Sequence, residues 1–301
     1  MVSHLYVIGN GFDKHHHIPS GYQDYRVWLE RNKHLDVLET IDELFGLTDD
    51  DWWCHFEENL SSVEALRIAV EEAFEHFPNF GSDDFRDRDW YEAELSVETK
   101  MERAYDTILE SFSDWVMQLP DGNINNKIKL ERDSLFLTFN YSHTLENLYA
   151  IPSGRILHIH GKAGVGEELI LGHGLTYNEL EKKMGERVEE GDYVLQRAKD
   201  AAIYTVLRYK KNVEYIIEKN NKWFSSLSTI KNIHIYGHSL GRVDWPYFHK
   251  VFDSVDKKNL YVEISDHKNE NYKKIHRFMK KEGFRRNQYG IVELDYLCPK
   301  E

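Results

Sequence analysis

The chain has 301 residues, which is enough for one large domain or for one domain with an insertion. Its formal net charge of −14 disfavours nucleic acid as a partner, because contact with a phosphate backbone needs a basic surface. No apolar run approaches the roughly 18 residues of a membrane helix, and the N-terminal residues lack the pattern of a secretory signal. We therefore expect a cytoplasmic protein without membrane contact, in which the two cysteines need not form a disulfide.

The first predicted element is a short buried strand over residues 5–8, which runs into Gly9, Asn10 and Gly11. Residues 49–120 have a different character, because they are acidic, place apolar residues at helical spacing and contain no strand pattern. We predict one domain over residues 1–301, in which residues 49–120 form a helical insertion.

Strand patterns return after the insertion, at residues 134–140, 155–161 and 168–174, and a charged helical stretch follows over 178–222. The rest of the chain alternates strands near 232–237, 260–265 and 289–294 with helices near 245–255 and 269–282. This alternation predicts an α/β fold, namely a Rossmann-like three-layer domain with a mostly parallel sheet and the helical insertion.

Ligands of parallel sheets bind outside the carboxyl ends of the strands. The polar, glycine-rich stretches of this chain fall at that edge of the predicted sheet: GNGFD, TFNY, HIHG, GHG and GHSLG. Because they follow successive strands, we predict that they form a single site.

The pair Gly9 and Gly11 allows the backbone to approach a phosphate, whose oxygens the following amides can bind. The third glycine of the dinucleotide-binding pattern is missing, since that position holds Lys14, and a plain tight turn remains an alternative. Asp13 can bond a sugar hydroxyl or cap the next turn.

Asn140 and His160 stand at the ends of two predicted strands. The amide of Asn140 can orient a water molecule or bond a ribose hydroxyl, and the imidazole of His160 can act as a general base near neutral pH. The alternative is that each side chain satisfies local backbone groups.

Residues 237–241, GHSLG, match the G-x-S-x-G nucleophile elbow of serine hydrolases, and acidic residues and histidines follow in the required order. A true elbow passes from the serine directly into a helix. Here Asp244 and Pro246 predict a helix that begins near Trp245, with Asp244 as its cap. We therefore predict that Ser239 contacts a ligand, and a Ser239 nucleophile remains the alternative.

Histidines also raise the question of a metal. The adjacent histidines 15–17 cannot all point one way, and His158 and His160 lie two apart on a predicted strand, where they would share a face. No further ligand signature supports them, so we predict no metal. A metal held by His160, His173 and His238 remains an alternative.

Three stretches, in this order, resemble the bacteriophage abortive infection family AbiH: YVIGNGFDKHHHIPSGYQDY, LTFNYSHTLENLY with ILHIHG, and YGHSLGRVDWPYF. The resemblance spans nearly the whole chain and implies a role in defence against phage. At greater distance the same motifs are similar to sirtuin-like domains that consume NAD. The matching positions are Gly9 and Gly11 in a first glycine turn, Thr138 and Asn140 in T-x-N, His160-Gly161 as the catalytic His-Gly, Gly237, Ser239 and Leu240 in the last turn, and Asp244 at an acidic position.

Some positions depart from the sirtuin-like pattern. Asn10 replaces a small residue, Asp13 replaces a serine, and Ser142 stands where an aspartate usually follows T-x-N. The four zinc-binding cysteines of deacetylating sirtuins are absent, so protein deacetylation is not expected.

The resemblance implies a NAD glycohydrolase that releases nicotinamide and ADP-ribose, with Asn140 and His160 as catalytic residues. The residues expected to contact the nucleotide are Gly9, Asn10, Gly11, Asp13, Thr138, Gly237, His238, Ser239 and Asp244. A phage-derived trigger or a second copy of the chain is the expected partner. A nucleotide-sensing module without turnover, acting on a partner through the helical insertion, is the alternative to an enzyme.

Overall fold

The computed structural model describes residues 2–79, 81–131, 133–164, 169–184, 188 and 192–299. Six strands in these ranges form one sheet: β1 (His4–Ile8), β2 (Ser134–Thr138), β3 (Ile156–His158), β4 (Asn232–Tyr236), β5 (Tyr261–Ser265) and β6 (Tyr289–Val292). The α-helices are α1 (Asn10–His15), α2 (Tyr22–Arg31), α3 (Leu35–Phe45), α4 (Asp50–Cys54), α5 (Phe56–Asn59), α6 (Ala65–Glu75), α7 (Glu92–Met117), α8 (Thr144–Asn147), α9 (Tyr177–Lys183), α10 (Tyr193–Arg208), α11 (Val213–Lys219), α12 (Asn221–Ser225), α13 (Trp245–Asp253) and α14 (Tyr272–Lys281).

The strands are ordered β3-β2-β1-β4-β5-β6, and every neighbouring pair is parallel. Ile8 lies opposite Thr138 on one side and opposite Tyr236 on the other, so β1, β2 and β4 end at the same level. The order of the strands reverses between β1 and β4, which is where Rossmann-like sheets open a crevice for ligands. The predicted α/β fold with a mostly parallel sheet is confirmed.

The central strands are apolar on both faces, as expected for a parallel sheet with both faces covered. Leu5 and Val7 of β1 point to one face and are fully buried in a cluster with residues of α11, α13 and α14. Tyr6 and Ile8 point to the other face, where they pack with Phe12 of α1.

Helix α13 follows the glycine-rich turn after β4, and its bounds agree with the predicted helix over 245–255. Pro246 stands in its first turn, where a missing amide hydrogen costs no helical hydrogen bond. Its buried residues recur at helical spacing and place one face against the sheet cluster: Tyr247, Phe248, Val251 and Phe252.

The predicted strand over 168–174 is wrong for residues 169–174, which are described and lie outside any strand, while residue 168 falls outside the described ranges. His173 explains the local conformation. Its Nε2 donates to the carbonyl of Val206 at 3.0 Å, and its Nδ1 accepts from the amide of Leu175 at 3.1 Å. Both ring nitrogens of this buried histidine therefore serve the backbone.

The chain divides into two compact units. The sheet unit comprises residues 1–21, 114–170 and 212–301 and contains all six strands. The helical unit comprises residues 22–113 and 171–211, with a core in which the rings of Trp53, Phe56 and Phe112 surround Tyr25. The predicted single domain with an insertion over 49–120 stays a prediction.

Lys211 is the most buried charged side chain of the helical unit's ion pairs, and it pairs with Glu57. Glu57 also accepts a hydrogen bond from the hydroxyl of Tyr22 at 3.0 Å, so the carboxylate that pairs with the buried Lys211 is itself held by a neighbouring side chain.

Across the described ranges, no helix combines the length and the apolar character that crossing a bilayer requires.

Candidate functional site

The turn after β1 and the turn after β4 pack against each other through backbone atoms. The amide of Gly11 donates to the carbonyl of Gly237 at 2.8 Å. A Cβ atom on Gly9 would lie 2.6 Å from the Cα of His238, and one on Gly237 would lie 2.0 Å from the amide nitrogen of Phe12. Gly237 also has a φ of +67°, which favours glycine. Close backbone contact therefore explains the glycines of both motifs.

This packing bears on the predicted phosphate contact. The chain enters α1 directly at Asn10, and the amide of Phe12 donates to the carbonyl of Gly9 at 2.9 Å. The side chain of Asn10 is held by Ser20, whose carbonyl accepts from its amide at 2.9 Å. The amides of Gly11 and Phe12 thus have protein partners, and the phosphate contact at residues 9–11 stays a prediction.

Asp13 lies in α1, which follows this turn directly, and its side chain is fully buried. One carboxylate oxygen accepts from the hydroxyl of Ser142 at 2.5 Å and the other from the hydroxyl of Thr144 at 2.7 Å. Burial raises the pKa of Asp13 above its ordinary value, against the opposite effect of these hydrogen bonds. Asp13 therefore joins α1 to the segment after β2, and its predicted contact with a sugar hydroxyl stays a prediction.

Asn140, supported by Thr138, joins the end of β2 to the turn after β1. The side-chain amide of Asn140 donates to the carbonyl of Gly9 at 3.2 Å, and its backbone amide donates to the hydroxyl of Thr138 at 3.1 Å. Both side chains are buried. The structure thus brings Asn140 to the glycine turn, where it holds the backbone of Gly9, and Thr138 in turn holds the backbone of Asn140.

The carboxylate of Asp244 lies between two buried histidines. Its Oδ1 is 3.9 Å from Nε2 of His160, and its Oδ2 is 3.5 Å from Nε2 of His238. The exposed fraction is 4% for each histidine side chain and 14% for Asp244. Three residues predicted for the site, from the ends of two different strands, therefore form one cluster.

The tautomer of His238 follows from its hydrogen bonds. Its Nδ1 accepts from the amide of Leu240 at 2.9 Å, so in the neutral ring the proton is on Nε2, which faces Asp244. His238 thereby orients one oxygen of the carboxylate, while the other oxygen faces His160.

Aromatic rings surround this cluster. The ring of Phe139 lies 5.2 Å from that of His160 and 4.4 Å from that of His238. Tyr247 and Phe248 of α13 pack against His160 and His238 in turn, with centroids at 5.7 and 4.9 Å. An apolar surrounding of this kind strengthens the interaction between a carboxylate and an imidazolium.

Two local predictions about these residues are wrong. Asp244 precedes α13 but its side chain makes no capping hydrogen bond, because the carboxylate faces the histidines instead. His160 does not share a strand face with His158, since β3 ends at His158 and His160 lies in the following turn, beside Gly161 with a φ of +83°.

Sequence reasoning missed a second charged cluster at the ends of β2 and β3. Glu146 of α8 accepts from Nε2 of His158 at 3.1 Å and from Nζ of Lys162 at 2.7 Å on the same oxygen. Burial alone would raise the pKa of Glu146, but the hydrogen bonds from His158 and Lys162 outweigh it and lower that pKa to about 2. Glu146 follows TFNY and Lys162 follows HIHG in the sequence. This closeness to two of the motifs is the sequence feature from which the cluster could have been predicted.

Ser239 is exposed, and its hydroxyl has no hydrogen-bond partner among the described residues. Its neighbour His238 directs Nε2 to Asp244 and Nδ1 to Leu240. A histidine poised to take the proton of Ser239, which a serine nucleophile needs, is therefore not seen in the described ranges.

Two of the three adjacent histidines, His15 and His16, have different side-chain partners. His16 is buried, donates from Nδ1 to the carbonyl of Phe12 at 2.7 Å and accepts from the hydroxyl of Tyr149 at 2.7 Å. His15 instead contacts Asp295, with Nδ1 3.0 Å from its carboxylate. The two rings are thus engaged in different directions.

Comparison with known families decides the relationship of the chain. The model of the family described as bacteriophage abortive infection AbiH matches residues 5–266. The chain belongs to the AbiH family. This confirms the first resemblance and supports a role in abortive infection of bacteriophage, whereas the sirtuin-like resemblance stays a prediction. No curated protein and no solved structure matches the chain.

Proposed function

We propose that this AbiH protein acts in phage defence as a NAD glycohydrolase, which splits NAD and water into nicotinamide, ADP-ribose and a proton. The observation that carries the proposal is the pair of histidines around Asp244: His160 follows β3, and His238 follows β4, one of the two strands between which the strand order reverses and a crevice is expected. That crevice is the usual ligand site of Rossmann-like sheets, and a histidine next to a carboxylate is a common general base.

In this mechanism the bond between nicotinamide and C1′ of the ribose breaks, and the bond electrons leave with nicotinamide. The ribose carbon becomes electron-poor and is attacked by water, whose proton passes to His160. Asp244, 3.9 Å from Nε2 of His160, stabilises the imidazolium that forms. His238 keeps the carboxylate oriented through its Nε2 hydrogen.

The other predicted residues have supporting roles in this proposal. Asn140 holds Gly9 through its side-chain amide and so positions the glycine turn beside the crevice. Ser239, which is exposed, contacts the ribose or the phosphates of the nucleotide. The aromatic rings around His160 exclude water other than the one that reacts.

The direct test follows nicotinamide release from NAD by the purified protein. We expect His160→Ala to lower kcat by at least about 100-fold, and Asp244→Asn to lower kcat with little change in KM. Ser239→Ala is the comparison variant: we expect it to raise KM and to leave kcat near the wild-type value, since in this proposal Ser239 contacts the nucleotide and lies in a different turn from the general base. An active wild type whose rate His160→Ala leaves unchanged contradicts the assignment.

A test in infected cells covers an enzyme that is inactive until triggered. Cells that carry the wild-type chain should lose NAD after infection, and cells with His160→Ala should keep it. If the wild type protects the culture while NAD stays constant, the protein does not act through NAD. Binding of NAD or ADP-ribose without any product would point instead to the nucleotide-sensing alternative.

A further inference from the structure

The net charge of −14, on which the expectation against nucleic acid rests, is unevenly distributed along the chain. Residues 22–113 hold 25 acidic and 8 basic side chains, whereas residues 212–301 hold 12 acidic and 16 basic ones. At physiological ionic strength exposed charges interact over only about 8 Å, so a partner responds to the charge of the surface that it touches. The sheet unit can therefore offer a basic surface although the chain as a whole is acidic.

Helix α14 and the segment after it concentrate basic side chains on one surface. Residues 273–286 contain one acidic residue, Glu282, which is buried. The basic residues of this stretch are all exposed, and we call them the basic face: Lys273, Lys274, Arg277, Lys280, Lys281, Arg285 and Arg286. The opposite side of α14 is apolar and buries Ile275, Phe278 and Met279 in the sheet cluster.

The contacts of the basic face leave its charge uncompensated. Nζ of Lys281 lies 4.2 Å from the ring centroid of Trp245. Arg286 lies over the ring of Tyr289 and donates to the carbonyl of the same residue at 3.0 Å. A ring holds a cation in place but leaves its charge unneutralised. Within the part of the chain that the structure describes, no carboxylate forms an ion pair with any cation of the basic face.

The stability of the helix does not account for the basic face. Like charges four residues apart repel each other on a helix, as Lys273, Arg277 and Lys281 do here. Cations near the C-terminus of a helix interact favourably with its dipole, which explains Lys281. Lys273 and Lys274, however, stand in the first turn, where the same dipole disfavours a cation. The arrangement therefore destabilises α14 unless an anion covers it.

We propose that the basic face binds duplex DNA through its phosphate backbone. An α-helix with its side chains is about 10–12 Å across, which matches the roughly 12 Å width of the major groove. Lys281 lies on the side of α14 that faces Trp245, and Arg286 lies on the side that faces Tyr289. These two cations can contact the two phosphate strands while Arg277, between them, faces the groove.

The neighbouring rings favour a duplex over a single strand. Single strands bind in grooves where their bases stack on open aromatic rings. Here the rings of Trp245 and Tyr289 are covered by cations, and the basic face is the convex outer side of a helix. Duplex RNA is also disfavoured, because its major groove is too narrow for side chains to read.

The proposal is tested by fluorescence anisotropy, with a short labelled DNA duplex titrated with the full chain between roughly 50 and 200 mM NaCl. The logarithm of the association constant should fall linearly with that of the salt concentration, by about 0.9 per phosphate contacted. In the double variant Arg277→Glu with Lys280→Glu, we expect at least tenfold weaker binding and a slope shallower by about 2. Lys219→Glu with Lys222→Glu, on α11 and α12, is the matched control. It changes the net charge equally at exposed positions and should bind DNA nearly as the wild type does.

Three results overturn the proposal. The first is no binding by the wild type up to about 10⁻⁴ M, or an equal loss of affinity in both double variants. The second is tighter binding to a single strand or to an RNA duplex than to the DNA duplex. The third is salt-sensitive self-association that the α14 variant loses, without DNA binding, which would make the basic face an interface between two copies of the chain.

A measurement on the wild type needs no variant. Bound DNA should protect the lysines of the basic face from acetylation by acetic anhydride, while Lys219 and Lys222 stay reactive, as mass spectrometry can show. If bound DNA protects other lysines instead, it binds elsewhere and the proposal is wrong. None of these readouts depends on NAD cleavage.

Discussion

His238 presents its Nε2 to Oδ2 of Asp244 at 3.5 Å, while its Nδ1 is held by the backbone amide of Leu240. The histidine of GHSLG is therefore turned away from the serine beside it. In this chain the residue of the motif that joins the cluster around Asp244 is His238, whereas Ser239 is exposed.

The first prediction concerns Ser239. A fluorophosphonate probe should leave the protein unlabelled, because no histidine in the described ranges is placed to take the serine proton. Mass spectrometry of the treated protein checks this, with an ordinary serine hydrolase as positive control. Stoichiometric labelling of the wild type that disappears in Ser239→Ala would contradict this prediction and identify Ser239 as a nucleophile.

The second prediction concerns the backbone contact between the two turns. Gly237→Ala should lower the free energy of unfolding by more than about 2 kcal/mol, since it combines a left-handed backbone with overlap on α1. Gly154→Ala is the control, because nothing lies within 4 Å of its added Cβ, and we expect a change within about 0.5 kcal/mol. Urea unfolding measures both, and equal stabilities would contradict the contact.

The third prediction concerns Glu146, whose pKa in the folded chain is about 2 against an ordinary value of 4.5. Glu146→Gln should cost roughly 3 kcal/mol at pH 7, since a carboxylate with a lowered pKa stabilises the fold above the unfolded value. The difference in free energy of unfolding between the wild type and Glu146→Gln should shrink as the pH falls from 4.5 towards 2. Unfolding free energies measured between pH 7 and pH 2 check this, and Glu218→Gln, at an exposed position of α11, is the control, for which we expect a change within about 0.5 kcal/mol at pH 7.

The fourth prediction concerns His16, whose pKa burial lowers from 6.5 to about 4. The unfolded chain binds more protons than the folded one in that interval, so this histidine makes the fold less stable as the pH falls from 6.5 to 4. In His16→Gln this contribution is absent. The free energy of unfolding of the wild type should therefore fall relative to that of the variant as the pH is lowered from 6.5 to 4. A ring ¹⁵N titration showing His16 protonated already at pH 6 would contradict the prediction.

The sheet could be predicted because its signals are local. An apolar run of five residues that stops at a glycine or polar residue indicates a buried strand, and alternation with helices indicates parallel pairing. The run over 168–174 has the same local appearance, yet His173 bonds to the backbone of Val206 and Leu175 instead of joining the sheet. Local pattern alone does not distinguish these outcomes.

The sequence indicates the carboxyl edge of the sheet for the candidate site, but the contacts that the side chains make there could not be predicted. Asp13 meets Ser142 and Thr144 across 129 and 131 positions of sequence, and no local feature announces either contact. Asp244 has the sequence position of a helix cap, but the fold brings two histidines within reach of its carboxylate. Such partners depend on the packing of distant segments.

The glycines at 9, 11 and 237 also affect how relatives should be found. Because each turn fits the backbone of the other, a substitution at one turn demands accommodation at its partner. A search pattern that requires only G-x-S-x-G will gather serine hydrolases of other folds. A pattern that joins G-x-G at the start of the chain to G-x-S-L-G some 230 residues later describes the contact itself, and should separate chains built this way from chance matches.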